Sequence, residues 1–184
     1  ASDSAQAILQ VGNHGLQVTI ISGPSQLEPD ASGTWQVRVT NTGVVADSYD
    51  LSAFGPFALG AQISPSSVSL AAGQSQTVQL SAGPLVFALP QAYLLGVLGE
   101  SRADTYIRSQ DTALITILER QAVQVAWAPE AQTVNGSLSA AYSLVITNTG
   151  NLNTSFQISG SVSPAGLVNF ETSSLEIPSR STVV

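Results

Sequence analysis

The chain repeats itself without a gap. Asn41-Thr42-Gly43 returns 107 positions later as Asn148-Thr149-Gly150. At the same offset Trp35, Val37 and Val39 fall on Tyr142, Leu144 and Ile146, and Tyr49 and Leu51 fall on Phe156 and Ile158. Val68 and Leu70 fall on Leu175 and Ile177, while Leu16, Val18 and Ile20 fall on Val123, Val125 and Trp127. A fixed period that conserves apolar character in this way identifies one supersecondary unit used more than once. Whatever the first unit folds into, the second must begin to fold into as well.

Within each matched segment the apolar residues alternate with polar ones, the period of a half-buried strand. Trp35, Val37 and Val39 share one face and Gln36, Arg38 and Thr40 the other; Tyr49, Leu51 and Ala53 face in while Ser48, Asp50 and Ser52 face out. Turn chemistry separates these runs at Gly23-Pro24, Glu28-Pro29-Asp30, Asn41-Thr42-Gly43, Ser64-Pro65-Ser66 and Ala71-Ala72-Gly73. The stretch 91–101 has enough apolar residues for a helix, but Gly96, Gly99 and the flanking Pro90 favour a strand. Strands are predicted at 16–21, 34–41, 47–53, 60–63, 75–81, 91–100 and 111–118. Seven short strands in a segment of this size describe an all-β, antiparallel immunoglobulin-like sandwich. Tyr93, early in the sixth strand, is either a tyrosine whose hydroxyl bonds the backbone or an ordinary core aromatic.

The domain reading follows. Residues 16–118 form a complete sandwich, and residues 121–184 begin a second one that lacks its last two strands. Such a unit has an open core and unpaired strand edges. Residues 1–15 contain Ala7, Leu9 and Val11 at alternate positions, and the offset places them on the last strand of a preceding module or makes them a free N-terminal arm. There is no Met and no apolar leader, so the sequence reads as a piece of a longer polypeptide.

Composition narrows the function. Five basic residues, all arginine, stand against 12 acidic ones for a net charge of −7. Five scattered arginines make no stripe for a phosphate backbone, so nucleic acid is not an expected partner. No apolar run reaches the roughly 18 residues of a membrane-spanning helix. With no Cys and one His, cysteine chemistry and His/Cys zinc sites are excluded, and no catalytic activity is expected. His14, between glycine-containing turns, reads as a linker residue. No cofactor is expected, and the acidic residues read first as solvated carboxylates; if an inorganic partner exists it is calcium, since hard cations take carboxylate oxygens. The candidates are Glu28 and Asp30 in the turn after the first strand, Asp47 and Asp50 around the strand at 47–53, and Asp104 and Asp111 around the last two strands, and the sequence does not fix their spatial pairing.

Phe54-Gly55-Pro56-Phe57 is a loop with two large apolar side chains, suited to capping the sandwich or, less readily, to touching a partner or a carbohydrate. Asn135 and Asn153 each begin an N-glycosylation acceptor triplet. The junction Leu118-Glu119-Arg120-Gln121-Ala122 holds no Gly, Pro or Ser, which predicts a stiff connection between modules.

The Asn-Thr-Gly turn at 41–43, the run Pro65–Leu70, Gly73-Gln74 and Pro90–Tyr93 together resemble the NPCBM-associated Ig-like domains of bacterial secreted and surface proteins. Gln91-Ala92 replaces the glycine that family carries before its tyrosine. The resemblance implies a spacer or packing module with no catalytic residues, located outside the cell or on its surface. It leaves three settings open: a structural building block of a stalk, surface layer or filament, an accessory domain of a large secreted glycosidase, or an adhesin or carbohydrate-binding module. Separately from the resemblance, the missing strands of the second unit either lie in the parent chain, the plainer reading, or are supplied by strand addition from other copies of the chain or neighbouring modules.

Overall fold

The computed structural model describes residues 12–133, 139–162 and 167–184. Ala7, Leu9, Val11 and Asn135 lie outside them. The chain divides into two compact units, one running to Leu85 and including Ala92–Thr116, the other comprising Val86–Gln91 and Ile117–Val184.

The first unit carries β1 (Leu16–Ser22), β2 (Gln26–Leu27), β3 (Gly33–Asn41), β4 (Asp47–Phe54), β5 (Gln62–Ser64) and β6 (Ser67–Leu70). β7 (Ser75–Ala82), β8 (Ala92–Ser101) and β9 (Arg108–Ile117) follow. They form two sheets, β1-β3-β7-β5 and β2-β9-β8-β4-β6. This is an immunoglobulin-like sandwich. The two-residue β2 and the separate β6 are additions to the predicted set. Between the sheets lie Val18, Trp35, Val37, Val39, Tyr49, Leu51, Val78, Leu80, Leu95, Val97 and Ile115, all buried. The inward faces of β3 and β4 are those the alternation selects, because a register slip of one residue would turn every apolar side chain to water.

Trp35 anchors one end of this core. Its indole N–H donates to the Pro24 carbonyl at 3.0 Å, and Phe57 meets its ring edge-on with centroids 5.7 Å apart. Gly23, at φ 151°, allows the close approach: a Cβ there would lie 2.0 Å from the Trp35 ring.

The second unit carries β10 (Val123–Ala128), β11 (Ser143–Asn148), β12 (Thr154–Gln157), β13 (Ser174–Ile177) and β14 (Thr182–Val183). Its sheets are β10-β11-β14 and β12-β13. The offset survives into the pairing register. Leu16 opposite Asn41 becomes Val123 opposite Asn148, Asp47 opposite Leu70 becomes Thr154 opposite Ile177, and Thr40 opposite Ser75 becomes Thr147 opposite Thr182. Equivalents of β8 and β9 are not among the described residues. β10 is exposed along its whole length, where β1 is partly buried.

Candidate functional site

Two features of the architecture bear on function: a polar latch at one end of the first unit and an open groove in the second.

Asp47 opens β4 two residues before Tyr49, on the same inward parity, so its carboxylate has to be satisfied away from water. It is. Oδ2 accepts the Ser101 hydroxyl at 2.6 Å and lies 2.9 Å from Nδ1 of His14, and Oδ1 accepts the Ser48 N–H at 2.6 Å. Burial acts to raise the pKa of this carboxyl, but the Ser101, Ser48 and His14 hydrogen bonds outweigh it and hold the group below the usual value of 3.8. Next to it the Tyr49 hydroxyl donates to the Gly15 carbonyl at 2.8 Å. Burial, with the Asp47 charge adding to it, pushes that phenol up to about 12.

Ser, His and Asp thus come together, but in an order unsuited to acyl transfer. The serine gives its proton to the aspartate, and its oxygen accepts the Ala103 and Asp104 N–H groups at 3.2 and 3.1 Å. A nucleophile needs a base on its hydroxyl and a free lone pair. The cluster is instead a latch: His14 belongs to the segment entering β1, and its bond to Asp47 ties that segment to the sandwich.

The remaining acidic candidates are dispersed. Asp50 accepts a two-pronged contact from Arg102 Nε at 3.0 and 2.9 Å, and that guanidinium bond holds its carboxyl below the usual value. Asp111 Oδ2 accepts the Ile20 N–H at 2.8 Å, and Asp104 Oδ1 accepts the Tyr106 N–H at 3.0 Å. Glu28 and Asp30 sit in the turn closed by the Ala31 N–H bonding the Glu28 carbonyl. Among the described residues no three of His, Cys, Asp and Glu are grouped as a metal would require.

In the loop carrying Phe54 and Phe57, the capping role falls to Phe57, and the partner-contact alternative does not hold for it. Phe57 is 0% exposed and packs on Trp35, so it is unavailable to a partner. A short 3-10 turn, Pro56–Ala58, rolls it into the core. Phe54 lies over Gly96, where a Cβ would come within 2.3 Å of its ring. Tyr93 pairs with Ile115 in the β8–β9 ladder. Asn153 is exposed, and its Oδ1 accepts the Ser179 N–H at 3.0 Å.

The groove belongs to the second unit. It measures about 540 Å³ and is lined by Trp127, Tyr142, Leu144, Val162, Leu167 and Phe170 among others. Comparison with the first unit explains it. Val18 is 4% exposed but its equivalent Val125 is 54% exposed; Trp35 is 1% exposed but its equivalent Tyr142 is 41% exposed. Trp127 and Tyr142 meet edge-on with ring centroids 6.0 Å apart.

Both units hold their incoming chain in the same way. In the first, the Thr42 N–H donates to the Gly15 carbonyl at 3.1 Å and the Val44 N–H to the Asn13 carbonyl at 2.9 Å. In the second, the Thr149 N–H donates to Ala122 at 2.9 Å and the Asn151 N–H to Arg120 at 3.0 Å. The Asn151 side chain adds two bonds of its own, accepting the Arg120 N–H at 2.8 Å and donating to the Leu118 carbonyl at 2.9 Å.

No family model matches this sequence, and no curated protein matches it. Solved structures do. A FixG-related protein from Vibrio parahaemolyticus is 10% identical, with 58% of this chain and 98% of that one covered at a TM-score of 0.42. The ASH/PapD-like domain 7 of human CEP192 is 12% identical, with 64% and 93% covered and a TM-score of 0.41. The class 5 fimbriae chaperone CfaA is 16% identical, with 90% and 81% covered and a TM-score of 0.36. At these identities the likeness concerns the fold alone.

Proposed function

We propose that this chain is a non-enzymatic structural segment of an extracellular or cell-surface protein, in which Ig-like modules follow one another as a stalk, surface layer or filament building block. The observation that carries this reading is the linker clamp, present in both units at equivalent positions. A sandwich that spends backbone and side-chain hydrogen bonds on its incoming segment takes conformational freedom away from that segment. That is the property a spacer needs. The Asn-Thr-Gly turn behind the resemblance to NPCBM-associated domains is the same turn that forms the clamp. The Ser101–Asp47–His14 latch supports the reading too, since it uses reactive residue types to fasten a strand.

An antibody raised against residues 16–118, used on intact cells before and after external protease, tests the proposal. Surface labelling that protease removes without lysis is the expected result. A protected intracellular pool overturns it.

A further inference from the structure

The two sheets of the first unit end on four edge strands, and an open edge is a template for pairing with another chain. Three of the four are short: β2 has two residues, β5 three and β6 four. β1 has seven, and among the described residues it pairs with β3 alone. Leu16–Ser22 contains no charge and no Pro, and its pairing is irregular only between Ile20 and Ser22. By length and composition, then, β1 lacks most of what keeps an edge from adding a strand.

Two side chains from the other sheet occupy this edge instead. Backbone groups along a strand point alternately to one side and the other. The Gly15 carbonyl meets the Thr42 N–H on the β3 side, so Leu16, Val18 and Ile20 present their backbone groups to the other side. There the Val18 N–H donates to Ser109 Oγ at 3.0 Å and the Ile20 N–H to Asp111 Oδ2 at 2.8 Å. Ser109 and Asp111 are themselves two residues apart in β9, so their oxygens recur along β1 at the interval of the carbonyls in a paired strand. Asp111 is fixed in this role, since its Oδ1 accepts the Thr112 N–H at 2.9 Å. Gly99 lets β1 settle close to β8: a Cβ there would lie 2.8 Å from the Val18 side chain and 3.0 Å from that of Leu16.

We infer that Ser109 and Asp111 form an autoinhibitory contact, holding the N–H groups that a further strand needs and so closing β1 to the β1 of a second copy. An uncharged strand meets its own twin, antiparallel across a twofold axis, without like charges opposing each other. The side-chain oxygens stand where that twin's carbonyls would be, and the sandwich stays single along this edge. The contact acts in this way wherever the protein resides.

Hydrogen exchange and sedimentation on the full chain test it. In the wild type the Val18 and Ile20 amides are protected like those of Gln17 and Thr19, which face β3. In the Ser109→Ala/Asp111→Ala variant at low concentration, Val18 and Ile20 exchange at least tenfold faster while Gln17 and Thr19 keep their protection. At higher concentration this variant dimerises, at concentrations at least tenfold below any at which the wild type does, and the two amides regain protection. Adding Thr19→Lys, a charge on the edge strand, returns it to monomer. Free exchange of Val18 and Ile20 in the wild type overturns the inference without any variant. A double variant that associates no more than the wild type, or association that Thr19→Lys leaves unchanged, overturns it as well.

Discussion

Asn41 and Asn148, 107 residues apart, make the same hydrogen bonds to equivalent partners. The Asn41 Nδ2 donates to the Val45 and Leu70 carbonyls at 2.8 and 3.0 Å, and its Oδ1 accepts the Gly43 N–H at 2.9 Å. The Asn148 Nδ2 donates to the Leu152 and Ile177 carbonyls at 2.9 and 3.0 Å, and its Oδ1 accepts the Gly150 N–H at 2.9 Å. Both asparagines are fully buried. Each one shapes the turn that clamps the linker and also ties the end of its strand to the opposite sheet. Asn41→Ala leaves two carbonyls and an N–H without this partner, and we expect a loss of about 2 to 3 kcal/mol. Asn41→Asp fails similarly, because a carboxylate cannot donate. Urea unfolding followed by tryptophan fluorescence measures both.

Phe57→Ala removes a fully buried ring that packs edge-on against Trp35. We expect it to destabilise the first unit by about 3 to 5 kcal/mol. Phe54→Ala, at a partly exposed position, costs less. Equal unfolding midpoints for the two variants would contradict the assignment of Phe57 to the core.

Asp47 governs the response to acid. Its folded pKa lies below 3.8, so the stability it contributes is present above that value and is lost as pH falls through the folded pKa. We expect the urea midpoint to decline below about pH 4, and Asp47→Asn to flatten that decline. Asp50 shifts in the same direction but is exposed and screened, so Asp50→Asn changes the profile little.

The fold was legible because alternation and turn residues agree along the whole first unit, and because the offset tested each assignment a second time. β2 escaped the strand count because two residues give no periodicity, whereas Val68 and Leu70 carry both the alternation and the offset match of β6 without giving it a separate place in that count. The latch was half legible. Inward parity at Tyr49 and Leu51 extends back to Asp47, and a carboxylate on an inward face demands partners. Nothing in the sequence says that those partners are Ser101 and His14, 54 and 33 residues away. Phe57 follows the favoured reading of its loop, a cap on the sandwich: Gly55 at φ 94° turns the chain so that the ring enters the core.

Tyr49 sets an alkaline counterpart to Asp47. The folded state holds its phenol neutral, with a pKa raised from 10.0 to about 12. Its contribution to stability is therefore complete below pH 10 and is lost as pH rises toward 12. Phenolate absorbance should show one of the four tyrosines ionising well after an ordinary phenol. Tyr49→Phe should remove that late phase and, with it, the bond to the Gly15 carbonyl.

Asn151 distinguishes the two clamps. Val44 stands at the equivalent place in the first unit and has no side-chain hydrogen-bonding group, whereas Asn151 is buried and holds both Leu118 and Arg120. If these bonds restrain the incoming segment, Asn151→Val reduces the second clamp to the backbone bonds found in the first. The Arg120 amide, which donates to the Asn151 Oδ1, then exchanges its hydrogen at least tenfold faster, while amides in β3 and β8 keep their protection. Small-angle scattering on the same pair of proteins reads the consequence for the whole chain. The variant should show a broader distribution of interdomain distances than the wild type. An unchanged Arg120 exchange rate removes the side chain from the restraint. A wild type already as broad as the variant removes stiffness from the account of how this protein works.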